Sequence, residues 1–297
     1  MKSASVGGAL WLLFQGALLV VEAMQQQQQQ LQQRRHSSLA SQLSDTNVNL
    51  HRRIFLIRHG ETDWNRQGKL QGGSVDIALN SKGKQQATQL ANELHNTGTK
   101  FDIIASSHLQ RACQTADALI QFSSSTISPS SDDATLKDKK TTIHPRRLIY
   151  EGFREMDYGI HEGLPIKGPD STPESIKEFE RYKNPIMEGD MDITWPEGES
   201  MRHVEQRAVA ALHQVLEQST VEGDGYDKDK AARSPATIAI VAHAIFNRVL
   251  LAATLQGDGK HFVDYPQDNC CINVIDQLSD GSFEAVVVNY NQHTQNS

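Results

Sequence analysis

The sequence predicts a single α/β domain: a mostly parallel central sheet with helices on both faces, three layers in all. Two observations carry this. Short apolar runs of strand length recur along the chain, and between them lie longer segments with apolar residues three or four positions apart. Strands alternating with helices imply crossover connections and a sheet covered on both sides.

Arg53 to Ile57 is a short apolar run ending at Arg58-His59-Gly60, the pattern of a buried strand feeding a loop. Ser81 to Asn96 places Ala87, Leu90, Ala91 and Leu94 at helical spacing, with Ser81 as N-cap and Gly98 as stop. Phe101 to Ala105 reads as a second strand. His108 to Phe122 reads as a helix facing inward through Leu109, Ala112, Ala116 and Leu119. Pro173 suits the first turn of a helix capped by Ser171 or Thr172. Residues 199–218 carry an apolar stripe of Val204, Ala208, Ala211, Leu212 and Val215. Thr237 to Ala242 is a third buried strand, leading through His243 into an apolar helix over 244–255. Ile272 to Ile275 and Glu284 to Val288 add two late strands. In sheets of this kind ligands gather at the carboxyl ends of the strands. Arg58-His59 and His243 both fall there.

The first 50 residues read differently. Lys2 precedes an apolar run from Val6 to Val21, and Val21-Glu22-Ala23 offers a small-residue cleavage site, the layout of a secretory signal peptide over residues 1–23. A membrane span takes about 20 apolar residues; this run is shorter and Gln15 interrupts it, although an uncleaved anchor is the alternative. Gln25 to Gln30 and the Gln/Ser/Leu-rich stretch to Leu50 form a low-complexity segment that reads as a disordered linker. Its Ser and Arg content also admits a transit peptide, the two-part leader resembling that of algae with complex plastids. The expectation is therefore entry into the secretory pathway, then secretion, or delivery to a plastid if the leader is two-part. The folded domain is expected over residues 51–297, without stable membrane association once the leader is removed. Residues 123–142 and 222–235 lack apolar periodicity and read as surface insertions.

A content of 38% hydrophobic and 22% charged residues is that of a soluble globular chain. The net charge of −7 repels polyanions, which argues against a nucleic-acid partner and requires any phosphate site to be a local concentration of cations. Cys113, Cys270 and Cys271 are odd in number, two of them adjacent, and read as buried or idle thiols. No Cys/His cluster has zinc spacing, and no nucleotide-type glycine loop is present, so neither a metal nor a cofactor is expected.

The chemistry concentrates in Leu56-Ile-Arg-His-Gly-Glu-Thr-Asp-Trp-Asn65. This segment resembles the R-H-G-E-T-x-x-N signature of histidine phosphatases and cofactor-dependent phosphoglycerate mutases. Ser106 to Ala116 resembles the family's second arginine segment and supplies Arg111. Arg154-Glu-Met-Asp-Tyr-Gly159 with Glu162-Gly163 resembles its acidic segment, supplying Glu155, with Glu151 and Glu162 as rivals. Val241-Ala-His243 matches the second histidine. Leu70-Gln-Gly72 with Asp76, Gly83 with Gln86-Ala87, Pro196 to Ser200 with Arg207, and Cys271 to Ile275 are supporting matches. The resemblance spans roughly residues 52 to 290 and implies a phosphoglycerate mutase-like fold.

It also implies roles. His59 is the nucleophile that becomes phosphorylated, Glu155 the general acid and base, and His243 completes the site. Arg58, Arg111, Asn65, Gln71, Gly72 and a backbone N–H at Ala244 hold the substrate phosphate. The cations beside His59 should keep its ring unprotonated. Asn65 has a rival reading as a turn or cap residue, Arg111 as a salt-bridge partner and His243 as a packed core histidine. Arg207 reads as a tie to Glu or Asp, and His108, His161 and His203 as surface or supporting residues. Three positions depart from the common pattern: Ala244 for a frequent glycine, His108 for an aspartate, and His161 for a tryptophan. They put the fit to substrate in doubt, not the phosphoryl-transfer core. The compact stretch from Glu155 to Pro196 looks more like the phosphatase branch. The expected function is hydrolysis of a small phosphorylated metabolite, with a phosphoglycerate mutase and a non-catalytic phosphate-binding scaffold as alternatives. The particular ester and the oligomeric state have no readable signal.

Overall fold

Six strands form one sheet: β1 (Leu50–Arg58), β2 (Ile103–Ser107), β3 (Arg146–Tyr150), β4 (Ala236–Ala242), β5 (Ile272–Leu278) and β6 (Phe283–Tyr290). Their order across the sheet is β3-β2-β4-β1-β5-β6. The computed structural model describes residues 37–44, 47–124, 144–219 and 235–295. The expected signal peptide, and nearly all of both expected insertions, lie outside the described residues. β1 to β4 pair in parallel; β5 runs antiparallel to β1, and β6 antiparallel to β5. The sheet is thus mostly parallel, with one reversed strand at β5.

Alternation along the buried strands sorts their side chains into two cores. Phe55 and Ile57 of β1 pack with Leu90 and Leu94 of α3 (Ser81–Asn96) and with Ala112 and Ala116 of α4 (Gln110–Ser124). Ile54 and Leu56 point the other way, onto Ala208 and Leu212 of α6 (Met201–Gln218) and Phe246 and Leu250 of α7 (Ala244–Gln256). This is the expected three-layer arrangement. A third cluster, with Met156, Tyr158, Ile186, Met191, Trp195 and Val249, binds the 155–200 segment and α5 (Pro173–Met187) against α6 and α7.

Several boundaries differ from expectation for local reasons. Asn80, not Ser81, is the N-cap of α3, its side chain accepting from Gly83 N–H at 2.8 Å. Thr172 caps α5 and closes a capping box with Ser175. The strand β3 was not anticipated: Arg146-Arg-Leu-Ile-Tyr150 is an edge strand, partly exposed, without the continuous apolar run of the inner strands.

The larger correction is at the N-terminal border. Residues 24–50 were expected to be disordered or transit sequence, with the fold starting at 51. Instead Leu39–Leu43 forms a short helix, α1, capped by Ser38. Leu39 is 0% exposed and packs in the same core cluster as Val287 and Tyr290. Leu43 O accepts from Arg53 Nη1 at 3.0 Å, so the fold begins before His51.

Candidate active site

The site forms where β1 and β4 end side by side. Arg58 and Ala242 are register partners, and the residue after each, His59 and His243, therefore stands at the same level. Their ring centroids are 5.1 Å apart. His59 Nδ1 lies 2.7 Å from Gly60 O. A carbonyl only accepts, so Nδ1 carries the proton and Nε2 keeps the lone pair. Burial, then the charges of Arg111 and Arg58, hold the His59 pKa well below the ordinary histidine value, against the contrary pull of the Gly60 contact. The ring is neutral at pH 7. Gly60 is required at its position: a Cβ there would lie 2.5 Å from Gly83 O. Its N–H donates to Thr115 Oγ1 at 3.1 Å.

His243 is 0% exposed, and Arg111 Nε–H points at its Nδ1 from 3.3 Å. Nδ1 is then the acceptor and the proton sits on Nε2, a buried atom with no partner among the described residues. Burial, followed by the charges of Arg111, His59, Arg207 and Arg58, keeps this pKa also well below the ordinary value.

Arg111 is fully buried, which sets aside a surface ion pair as its role. Its Nη1 donates to Val75 O at 2.8 Å and its Nη2 to Gly72 O at 2.9 Å. Because a guanidinium only donates, the Gln71 amide is oriented with its oxygen towards Arg111, at 3.1 Å from Nη1 and 3.0 Å from Nε. Its nitrogen then donates to Thr62 Oγ1 at 2.5 Å. Gln71 and Gly72, expected at the phosphate, thus engage Arg111 itself. A Cβ on Gly72 would come 2.1 Å from Glu162 Oε1, so glycine is needed for this approach. Burial pushes the Arg111 pKa down to about 10, opposed by Glu155, Asp76 and Glu162, and the side chain remains cationic at pH 7. Asp76 caps α4, accepting from Gln110 N–H at 2.7 Å.

Arg58 ends β1; its Nη1 donates to Gln267 O at 2.8 Å, and its buried Nε has no partner among the described residues. Desolvation lowers its pKa. Asn65 fulfils the cap reading, since it closes a capping box with Thr62 on α2 (Asp63–Gln67). Its Oδ1 accepts from Thr62 N–H at 3.2 Å and Asn269 Nδ2 at 3.3 Å. With Gln71 oriented as above, Asn65 Nδ2 has no acceptor there and remains a donor for a ligand.

Of the three candidate acids, Glu155 reaches the second histidine's helix. It is 5% exposed; Oε1 accepts from Met156 N–H at 2.9 Å and Phe246 N–H at 3.1 Å, and Oε2 from Ile245 N–H at 3.2 Å. The N–H of Ala244, first residue of α7, is not among those it engages. Glu151 is exposed. Glu162 lies behind Gly72, its Oε1 accepting from Ser74 and Tyr158 N–H, and burial raises its pKa. Arg207 is the expected structural tie: it is paired with Glu199 at 2.9 Å and donates to the carbonyls of Gly152, Arg154 and Glu155.

His108 and His203 are exposed, whereas His161 is buried against Trp195 and Tyr182 and bonded to Glu178. All three cysteines are free; burial pushes the Cys271 thiol up to about 12 and Cys270 higher still. Thr62 and Thr115 lie inside the recognised segments without having been singled out, while Asn269 and Arg248, whose charge acts on Arg58, carry no periodic or compositional signal and escaped the sequence reading.

Residues 54–291 match the model of the family described as the histidine phosphatase superfamily (branch 1). The chain belongs to this superfamily. Among its relatives, the Salmonella arizonae protein named "Probable phosphoglycerate mutase GpmB" is 34% identical over 165 residues, 56% of this chain and 63% of that protein. Its Citrobacter koseri namesake is 33% identical over 165 residues, with the same coverage of 56% and 63%. The chain thus spans under two thirds of the length of these relatives. Among solved structures, phosphoserine phosphatase from Entamoeba histolytica in complex with 3-phosphoglyceric acid is 24% identical with a TM-score of 0.58, covering 82% of this chain and 98% of that one. The alpha-ribazole phosphatase from Shigella flexneri is 21% identical with a TM-score of 0.56, covering 80% and 96%. At these identities the likeness is one of fold.

Proposed function

We propose that this histidine phosphatase superfamily member hydrolyses a small phosphate monoester through a phosphohistidine at His59. The observation that carries the reading is the His59 ring: Nδ1 is committed to Gly60 O, which leaves Nε2 as an unprotonated nucleophile between two guanidinium-bearing elements.

Arg58, Arg111, Asn65 Nδ2 and His243 Nε2–H hold the phosphoryl oxygens, and the Ala244 N–H adds a backbone donor at the start of α7. Phosphoryl transfer needs chiefly this positioning and charge stabilisation. His59 Nε2 forms a bond to phosphorus as the ester P–O bond breaks, and the leaving oxygen takes its proton from Glu155. Glu155 Oε1 already has two donors while Oε2 has one, so Oε2 is the oxygen with a free position for that proton. Water then attacks the phosphohistidine, giving its proton back to Glu155, and inorganic phosphate leaves with His59 restored.

The names of the solved neighbours, phosphoserine and alpha-ribazole phosphatases, support a small soluble ester as substrate. The name of the sequence relatives supports a mutase as the second reading. The two separate in one assay. The full chain and His59→Ala are incubated with a labelled phosphate monoester and quenched in alkaline detergent. Protein-bound label that is acid-labile, base-stable, absent from His59→Ala and accompanied by released phosphate supports the hydrolase. Isomerised 3-phosphoglycerate without released phosphate, dependent on 2,3-bisphosphoglycerate, overturns it in favour of the mutase. We further propose that residues 1–23 direct secretory entry; a reporter fusion that stays in the cytosol would refute this.

A further inference from the structure

One loop, Pro266 to Cys271, touches three groups of the phosphate cradle. Gln267 O accepts from Arg58 Nη1 at 2.8 Å, and Cys271 O from Arg58 N–H at 3.3 Å. Asn269 Nδ2 donates to His59 O at 3.2 Å and to Asn65 Oδ1 at 3.3 Å. The Cys270 N–H donates to the same His59 O at 3.3 Å. The loop is anchored at both flanks. The Gln267 side chain is buried between α7 and β5, accepting from Asn247 Nδ2 at 3.1 Å and Asn273 Nδ2 at 3.0 Å. Asp268 accepts from Asn289 Nδ2 at 2.8 Å and Asn291 Nδ2 at 2.6 Å. Cys270 takes φ +56°, a left-handed conformation that non-glycine residues seldom adopt and that a fixed surrounding has to hold.

The consequence falls on Asn65. Its amide oxygen is pinned by two donors, Thr62 N–H and Asn269 Nδ2, so its nitrogen must point to the opposite side. Thr62 alone would leave Oδ1 with a single donor and the amide freer to turn over. We propose that Asn269 is a positioning residue for phosphoryl transfer, fixing the direction in which Asn65 presents its N–H donors and steadying the His59 backbone without touching substrate. The inference rests on the functional reading of Asn65 and His59 above.

Asn269→Asp is the informative substitution. It keeps shape and volume but sets a carboxylate against two acceptor oxygens. Asn65 can relieve the clash only by turning its amide, which withdraws its donors from the phosphate. Turnover of p-nitrophenyl phosphate by the full chain should fall about tenfold or more, the scale of one hydrogen bond to a charged group, and about threefold for Asn269→Ala. In an Asn65→Ala background, Asn269→Asp should cost clearly less than in the wild type, because its route through Asn65 is gone and only its contact with the His59 carbonyl remains. Thermal melts of each variant separate this from general loosening, and Asn269→Ala remains as the test should the aspartate variant fold poorly. Calorimetric binding of inorganic phosphate gives the same cycle without turnover, so a failure of the hydrolase reading appears in the assay and leaves the binding cycle intact. Losses that multiply in full between positions 65 and 269, or an Asn269→Asp protein that behaves as wild type, would overturn the proposal.

Discussion

Glu155 sits at the N-terminus of α7, its Oε1 3.1 Å from the backbone N–H of Phe246. The same helix starts directly after His243, so one element places the acid and the second histidine relative to each other. Sequence separation between residues 155 and 243 is bridged by backbone donors, not by a side-chain pair.

Glu155→Gln tests that arrangement. The amide oxygen can replace Oε1, but the amide nitrogen would face the Ile245 N–H, donor against donor. Stability should fall by about 1–3 kcal/mol, the cost of an unsatisfied buried group. Turnover of an alkyl phosphate should fall by about 10²–10⁴, the range for losing a general acid. With p-nitrophenyl phosphate, whose leaving group needs little protonation, the drop should be much smaller. Equal losses for the two esters would remove Glu155 from the acid role.

Arg207 and Glu199 form the brace behind the acid. Arg207 holds the carbonyl of Glu155 at 3.0 Å, and Glu199 also takes Arg154 Nη2 at 2.6 Å and the Asp157 N–H at 3.0 Å. Stranding one partner of a buried pair costs about 3–5 kcal/mol; this pair is only partly buried and Glu199 keeps Arg154, so Arg207→Met should lose less than that while releasing the Glu155 carbonyl. Glu199→Gln keeps acceptor and volume and should lose less still. Urea unfolding of both variants checks the order; a reversed order would show that the guanidinium, not the carboxylate, is replaceable.

How much of this was visible in the chain follows from where each contact is made. β1, β2 and β4 are buried on both faces and read as unbroken apolar runs, while β3 lies at the edge, half exposed, and reads as nothing in particular. Arg58, His59, Arg111, Glu155 and His243 were legible because their neighbours form segments of recognisable order. Asn269 was not: its partner Asn65 is 204 positions away, and a single amide leaves no period. α1 was missed because its five residues sit in a polar, low-complexity stretch where two leucines, Leu39 and Leu43, are too few to show a period. The two readings of Asn65 are compatible, because its backbone and amide oxygen serve the capping box while the proposed role uses its amide nitrogen.

The two depressed histidines give stability a pH dependence of known sign. Burial and neighbouring cations lower both the His59 and the His243 pKa in the folded state. Below about 6.5, the ordinary histidine value, the unfolded chain takes up protons that the native rings refuse. Their contribution to stability is complete above that pH and is lost as pH falls, by up to about 1.4 kcal/mol per pH unit for each ring. The loss ends only at the depressed native values. His243→Gln removes one of the two titrating groups, so its stability should fall less steeply between about pH 6.5 and about pH 5. Parallel curves for wild type and variant in denaturant titrations would show that His243 does not carry this linkage.

The last prediction concerns the N-terminal border of the fold. Leu39 is fully buried in the core shared with Val287 and Tyr290, and Gln42 is buried beside it. Truncating a buried leucine in such a core costs about 2–5 kcal/mol, the transfer loss plus the cavity left behind. Leu39→Ala should show that loss in thermal or chemical unfolding. Val48, 98% exposed only nine positions on, is the internal control, and Val48→Ala should stay within about 0.5 kcal/mol of wild type. A chain starting at His51 should lose at least as much as Leu39→Ala, since it also lacks the Leu43 carbonyl that receives Arg53 Nη1. Arg53 is buried, and besides this carbonyl it engages both carboxylate oxygens of Asp276 on the neighbouring strand at 2.8 Å. A truncated chain as stable as the full one, with Leu39→Ala silent, would place the border at β1 after all; a large loss in both makes residues 37–44 part of the folded core.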